Sequence, residues 1–144
     1  MDNRKDLILE FTRSFRYLVR SVRQDFAVDF EGYIPFNEFT VLRALEDERT
    51  LRVSDVARRL NATNSYVTLT SEKLVKKGYI VRERTDADRR TVYLTLTDEG
   101  LSLVKKMDEI VYAYFNKTFG DISNEEMMTV IQILEKIKPY EREA

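Results

Sequence analysis

The 144-residue chain contains no cysteine and no histidine. Without these residues it can form no disulfide bond, no thiolate nucleophile and no sulfur-ligated metal site, and it can assemble no serine-histidine or cysteine-histidine catalytic set. Its acidic residues have the spacing of solvated helix faces, and no glycine-rich phosphate loop or metal-ligand cluster accompanies them. The sequence therefore predicts no enzyme activity, no cofactor and no bound metal.

Long apolar runs are also missing. No stretch of about 18 apolar residues occurs, and no basic N-terminal segment is followed by an apolar one. We therefore expect neither a membrane span nor a secretory signal, and we expect a cytoplasmic location. Glycine (four) and proline (two) are scarce, and no internal repeat is visible. With 43% hydrophobic residues, the chain has the length and composition of one domain with a real core.

Positive charge is not in excess overall, but it is unevenly distributed. The formal net charge is -1, yet residues 49–100 contain eleven Lys and Arg against seven Asp and Glu, whereas both flanking regions are acidic. A basic segment favours contact with phosphates, and binding of that kind weakens steeply with salt. The alternative is that an excess of four charges is ordinary surface variation.

Two helical patterns in the middle of the chain predict a helix-turn-helix. Residues 53–60 have apolar side chains at helical spacing and arginines on the other face. After a break at residues 61–63, a second helix is predicted from about residue 64 to 77, with Val67 and Leu74 inward and Gly78 as its C-cap. In such a pair the second helix can enter the major groove of DNA while the first braces against the backbone.

The next segment has the pattern of a charged β-hairpin. Residues 79–84 and 92–96 alternate apolar and polar side chains, which is the period of half-buried strands, and they can pair across a tip at residues 85–91. Thr97, followed by two acidic residues, supplies an N-cap for a new helix. This order is typical of the wing of a winged helix, and the alternative for the tip charges is a solvated hairpin.

Long amphipathic helices are predicted at both ends of the chain. Residues 6–26, 101–115 and 127–137 carry apolar side chains every three or four positions, and Ser123 with Glu126 forms a capping box before the last of them. A core of residues 36–100 is too small to cover three apolar stripes. We therefore expect the first and last helices to pack together and against a second copy; the alternative is an intramolecular bundle.

The segment from Phe36 to Gly100 resembles the winged helix-turn-helix core of the MarR (multiple antibiotic resistance regulator) family. Asp88, Arg90 and the run of Leu94, Leu96 and Thr97 are similar to that family's D-x-R-x-x-x-L-x-L-T signature, and LVKKGYIVRE (residues 74–83) is similar to its junction between recognition helix and wing. The resemblance covers nearly the whole chain, but only this central region carries specific motifs.

The resemblance implies a mainly α fold with a small β-hairpin, in which a winged helix-turn-helix core is flanked by dimerisation helices. Residues 1–35 would hold the N-terminal dimerisation helix and connector, residues 36–100 the DNA-binding core, and residues 101–144 the C-terminal dimerisation helices of one integrated domain. It further implies a homodimer on double-stranded DNA with a pseudo-palindromic operator. Repression is the family default.

DNA-binding roles on the second helix follow from this assignment. Asn64, Ser65 and Thr68 are predicted to face outward and reach base edges, and Thr63, as the N-cap, to present helix amides to a phosphate. Tyr66 either stacks along the DNA backbone or packs inward. Lysines toward the end of the helix are predicted phosphate contacts: Lys73, Lys76 and Lys77.

Roles on the hairpin tip fall on three charged residues. Arg90 is assigned to the minor groove, where a guanidinium gains from the negative potential of narrow A/T-rich tracts. Asp88 is predicted to orient or brace that arginine, and Arg89 to add a phosphate contact.

Aromatic residues around the start of the helix at Phe36 are candidates for an effector site. Phe30, Tyr33, Phe36 and Phe39 cluster there in the sequence, with Arg16 and Tyr17 on the first helix. The resemblance implies a small aromatic or anionic effector whose binding changes the distance between the two recognition helices. The alternative is that these aromatic side chains are simply core.

The second helix departs from the family pattern in its middle. Leu69 stands where many members have arginine, and Thr70 and Ser71 occupy positions that are usually apolar. Either Leu69 touches a thymine methyl group or the helix is rolled so that another face reads the bases. A different class of function also stays open, a winged-helix protein-interaction module that never touches DNA; the Asp-x-Arg spacing of the tip favours DNA.

Overall fold

The computed structural model describes residues 3–137. Helices dominate this range, and two of the three strands form the hairpin that the sequence predicts. The elements are α1 (Arg4–Asp29), α2 (Phe36–Ala44), β1 (Thr50–Arg52), α3 (Val53–Arg59), α4 (Asn64–Lys76), β2 (Ile80–Arg84), β3 (Val92–Leu96), α5 (Asp98–Thr118) and α6 (Asn124–Lys136). The mainly helical fold with a winged helix-turn-helix order is confirmed.

The sheet has one strand more than predicted. β3 lies in the middle and pairs antiparallel with β2, where Ile80 faces Leu96, and with β1, where Leu51 faces Leu94. β1 is only three residues long, and Leu51 is its one buried side chain. Because so short a segment cannot display the alternation that identifies a strand, its pairing becomes visible only in three dimensions.

The core beneath the helix-turn-helix is apolar and closely packed. Val56 of α3, Val67 and Leu74 of α4, and Leu94 and Leu96 of β3 are at most 2% exposed. Burying side chains of this size stabilises the fold by about 1.5–3 kcal/mol each relative to leaving them in water. The inward positions predicted for Val67 and Leu74 are therefore confirmed, and α4 is held at a fixed roll.

The end of α4 differs in detail from the prediction. Lys77, not Gly78, is the C-cap residue, and Gly78 follows it with φ +82°. The Gly78 amide donates to the Val75 carbonyl at 3.0 Å and the Tyr79 amide to the Leu74 carbonyl at 3.1 Å, the two bonds of a Schellman motif. Gly78 is thus the left-handed residue that turns the chain from α4 into β2.

Two compact units divide the chain, one ending at Asp108 and one beginning at Glu109, with the boundary inside α5. In the first unit, α1 leaves large apolar side chains exposed, among them Leu7, Phe11 and Phe15. In the second, α6 has no buried residue, and its capping box of Ser123 and Glu126 is formed as predicted. No helix between residues 3 and 137 is long and apolar enough to cross a membrane.

Candidate nucleic-acid interface

A tight turn brings α3 into α4. Asn61 takes a left-handed conformation with φ +51°, and Thr63 is extended. The Thr63 hydroxyl accepts a hydrogen bond from the Tyr66 amide at 3.1 Å, so Thr63 is the N-cap, as predicted. The remaining free N–H groups of the first turn of α4 point out of the N-terminal end of the helix, along its axis, and this geometry suits an anion.

The faces of α4 are separated by polarity and by burial. Val67, Thr70, Ser71 and Leu74 are buried, and the Ser71 hydroxyl donates to the Thr68 carbonyl at 2.9 Å, which satisfies this polar group inside the core. The opposite face is open to solvent. It carries Asn64, Ser65, Tyr66, Leu69 and Lys73, with Thr68 half-buried at its edge. The outward placement predicted for Asn64 and Ser65 is what the structure has, and Tyr66 does not pack inward.

Hydrogen bonds that Asp88 accepts and donates organise the wing tip. Its Oδ1 accepts from the Arg90 backbone amide at 3.0 Å and its Oδ2 from the Thr91 hydroxyl at 2.8 Å, while the Thr85 hydroxyl bonds to both the amide and the carbonyl of Asp88. The Thr91 hydroxyl and then the Arg90 amide hold the pKa of the Asp88 carboxyl below its usual value. The carboxylate is therefore charged and fixed at neutral pH.

This network bears on the role predicted for Asp88, which is to orient or brace Arg90. Within the described chain no ion pair joins the two side chains. Asp88 instead fixes the backbone from which the Arg90 side chain projects, because its carboxylate binds the Arg90 amide. The Asp-x-Arg spacing matters because an Asx-type bond reaches the amide two residues on.

α4 and the wing together line a groove of about 270 Å³. Asn64 and Thr68 of α4 lie along it with Arg90 of the tip, three residues that the sequence assigned to DNA. The start of α3 completes the lining. The other lining residues are Arg52, Val53, Ser54, Thr91 and Val92. Sequence reasoning missed Arg52 and Ser54, since only the pairing of β1 with β3 carries them to the wing.

The cations of this surface fall into two groups. Lys73, Arg89 and Arg90 form no ion pair with any carboxylate within residues 3–137, so their charge is available to a ligand. Lys77 differs, because its Nζ lies 2.8 Å from the Oε1 of the buried Glu38. Lys77 therefore has an internal partner for its charge, and its phosphate contact stays a prediction.

The predicted aromatic cluster exists and borders a cavity. Phe30 and Phe36 have ring centroids 5.8 Å apart, and Phe39 packs edge-on against Phe30 at 5.6 Å. A cavity of about 550 Å³ lies beside them and is lined by Phe30, Tyr33 and Phe36 together with Arg23 and Phe26, which the sequence did not single out. Phe39 is 1% exposed and does not line it.

Arg16 and Tyr17 are not brought to this cavity. Tyr17 is 73% exposed, and the Arg16 Nε donates to the Thr12 carbonyl at 3.3 Å on the surface of α1. Arg23 and Phe26 lie two to three turns further along the same helix, and they line the cavity in place of Arg16 and Tyr17. The cluster predicted from the sequence is thus real, but its α1 members were placed too near the N-terminus.

Comparisons with known proteins bear on this surface. The MarR family model matches residues 34–92. The HTH-type transcriptional regulator YkoM of Bacillus subtilis (strain 168) is 31% identical over 105 residues, which are 73% of this chain and 68% of that protein. The HTH-type transcriptional repressor MdtR of the same organism is 28% identical over 142 residues, covering 95% of this chain and 89% of that protein.

A solved neighbour contains DNA. The crystal structure of Streptococcus pneumoniae FabT in complex with DNA has a TM-score of 0.74 and 25% sequence identity, and the match covers 91% of this chain and 99% of that one. The fold described above is therefore one that another protein has in a complex with DNA.

Proposed function

This chain belongs to the MarR family of transcriptional regulators, and from that premise we propose that it is a repressor that binds a pseudo-palindromic operator as a homodimer and is released by a small-molecule effector. Residues 36–100 bind the DNA in this proposal, and the segments 1–35 and 101–144 mediate dimerisation. Repression is supported by the similarity to MdtR, which is named as a repressor.

The observation that carries this proposal is the groove shared by α4 and the wing tip. Asn64 and Thr68 offer hydrogen-bonding groups to base edges, and Arg90 beside them offers a guanidinium that pairs with no carboxylate of the described chain. Two further cations without an ion pair in the described chain lie on the same two elements, Lys73 on α4 and Arg89 on the tip. Hydrogen-bonding groups on a helix next to unpaired cations suit double-stranded DNA. In such complexes contacts to phosphates position the protein, and contacts to base edges give sequence specificity.

Fluorescence anisotropy on the DNA upstream of the protein's own gene tests the proposal. The measurement is made at several salt concentrations, with a scrambled duplex of the same length and composition. We expect tight binding that prefers the native fragment and whose logarithm falls linearly with the logarithm of salt. Equal weak binding to both duplexes would contradict a sequence-specific regulator and favour the protein-interaction module, for which a partner pull-down is the next experiment.

Dimerisation is supported by apolar surface that the described chain leaves uncovered. Phe11 and Phe15 stack with ring centroids 6.1 Å apart on an open face of α1, and α6 exposes Met128 and Leu134. A second copy is the simplest cover for apolar faces of this extent. Sedimentation equilibrium should give a dimer that Phe15→Glu breaks and Arg13→Glu, on the same helix, does not; a monomeric wild type would contradict this part.

Release by an effector is supported by the cavity beside the aromatic cluster. Its volume of about 550 Å³ is in the range of small-molecule sites, and its lining combines aromatic residues with one cation, Arg23, and one acidic residue, Glu31. A small aromatic carboxylate such as benzoate fits this chemistry. We expect such compounds to raise the melting temperature and lower operator affinity of the wild type but not of Arg23→Ala, whereas Arg20→Ala keeps both responses.

A further inference from the structure

One apolar side chain stands out on the reading face of α4. Leu69 is 62% exposed, although it lies in the middle of a helix that buries Val67 and Leu74 fully. At about 100° per residue, Leu69 lies about 200° around the helix axis from Val67, so it projects almost directly away from the core. The roll of α4 is fixed by its buried face, and the exposure of Leu69 is therefore not relieved by turning the helix.

The surroundings of Leu69 are mainly polar. Its neighbours one turn away on the same face are all exposed: Ser65, Tyr66, Glu72 and Lys73. Three of these four are polar or charged and Tyr66 ends in a hydroxyl, so an extended apolar partner would find only a small apolar patch with a polar rim. An isolated apolar contact matches this surface better than a broad hydrophobic one.

The major groove offers one apolar group, the C5 methyl of thymine. Leucine has neither a donor nor an acceptor, so it cannot satisfy the polar edges of the other bases and would leave them desolvated. We propose that Leu69 is a specificity-determining residue that contacts the C5 methyl group of a thymine in each half-site. This inference rests on the proposed DNA-binding function and adds to it the base that the middle of the recognition helix selects.

Deoxyuridine tests the inference because it differs from thymidine only by that methyl group. Once footprinting has located the operator, each thymine of the half-sites is replaced in turn, at symmetric positions, and anisotropy is measured on every duplex. For the wild type we expect a loss of about fourfold per methyl contact at one thymine position, and no loss at the others. Leu69→Ala should bind the unmodified operator more weakly and show no penalty at that position, while Leu69→Met should keep the penalty.

Val75→Ala is the matched control, since Val75 is a partly exposed aliphatic residue of the same helix about 120° away from Leu69. It should retain the deoxyuridine penalty in full. The inference is overturned if deoxyuridine has no effect at any half-site thymine, or if Leu69→Ala keeps the wild-type penalty. Either result can arise while the operator is still preferred over the scrambled duplex, whereas loss of that preference in the wild type overturns the proposed function itself.

Discussion

The ammonium Nζ of Lys77 lies 2.8 Å from the Oε1 of Glu38, whose side chain is only 4% exposed. Lys77 is the C-cap of α4 and Glu38 lies in the first turn of α2, so the ion pair ties the end of the recognition helix to α2. α2 also carries Phe36, which lines the aromatic cavity. α2 therefore contacts both the cavity and the end of the recognition helix.

Removing the ammonium should destabilise the fold. Lys77→Met leaves the Glu38 carboxylate buried without its partner, and we expect a loss of about 2 kcal/mol, below the cost of breaking a fully buried pair because Lys77 is partly exposed. The shift in the urea midpoint measures it. Lys76→Met is the control, since Lys76 is exposed and has no acidic partner in the described chain. An equal shift of the urea midpoint for both variants would contradict a stabilising role of the Lys77–Glu38 pair.

Replacing Arg90 should weaken operator binding in a salt-dependent way. The Arg90 guanidinium meets no carboxylate in residues 3–137, and its backbone is held by Asp88, so Arg90→Ala removes a charge without disturbing the tip. We expect the log-log slope of affinity against salt to fall by about one per protomer, with unchanged urea unfolding. Lys105→Ala, an exposed change on α5, should leave the slope as it is; unchanged affinity of Arg90→Ala at every salt concentration would remove the wing from the interface.

Patterns in the sequence predicted the elements that repeat over several residues. The stripes of α3 to α5, the hairpin and the caps at Thr63 and Ser123 all follow from periodicity or from local hydrogen bonding, which the chain displays directly. β1 has only three residues, so its assignment depends on β3, a partner more than forty residues away. No local pattern reports such a partner.

The same distinction holds within the candidate site. Asn64, Thr68 and Arg90 were identified from the helix and the tip, and the structure brings them to one groove. Arg52 and Arg23 were missed, because their positions follow from how strands and helices pack and not from their own neighbours in sequence. The hydrogen bond that the Arg90 amide donates to Asp88 was missed for another reason, since opposite charges two residues apart suggest a side-chain pair first.

Replacing Asn64 should change which sequences are preferred. Asn64 is exposed at the first turn of α4 and lies in the groove with Thr68, where its amide can pair with a base edge. We expect Asn64→Ala to lose about 1–3 kcal/mol of binding free energy on the native operator and much less on operator variants altered at one base pair. A competition assay across operator variants measures this difference. A uniform loss on all sequences would reassign Asn64 to the DNA backbone.

The hydroxyl of Thr91 should control the titration of Asp88. That hydroxyl, followed by the Arg90 amide, keeps the pKa of the Asp88 carboxyl below its usual value. Because the pKa is depressed in the folded protein, the order of the tip is retained above the usual aspartate range and lost as the pH falls through the lowered pKa. Thr91→Val should raise the pKa of Asp88 toward its usual value in an NMR titration of the carboxyl carbon. Thr95→Val on β3 removes a hydroxyl that bonds to Thr50 of β1, and it should leave the pKa of Asp88 unchanged. An identical titration in both variants would contradict the tip network.

A methyl group on Gly100 should damage the junction between wing and α5. A Cβ at this position would collide with the Tyr79 carbonyl oxygen and come within 2.7 Å of the Leu96 Cδ1. The carbonyl cannot withdraw freely, because it accepts a hydrogen bond from the Thr97 amide at 3.0 Å. Since overpacking against backbone is relieved only by moving the start of α5, we expect Gly100→Ala to lower the free energy of unfolding by about 3 kcal/mol in urea.

Ser102→Ala, an exposed change one half-turn further along α5, is the matched control and should alter stability by less than about 0.5 kcal/mol. The Thr97 hydroxyl bonds to both the Gly100 amide and the Gly78 carbonyl, so displacement of α5 also strains the turn that ends the recognition helix. Gly100→Ala should therefore lose operator affinity along with stability. A Gly100→Ala protein as stable as the wild type would mean that the contact with Tyr79 is looser than its geometry indicates.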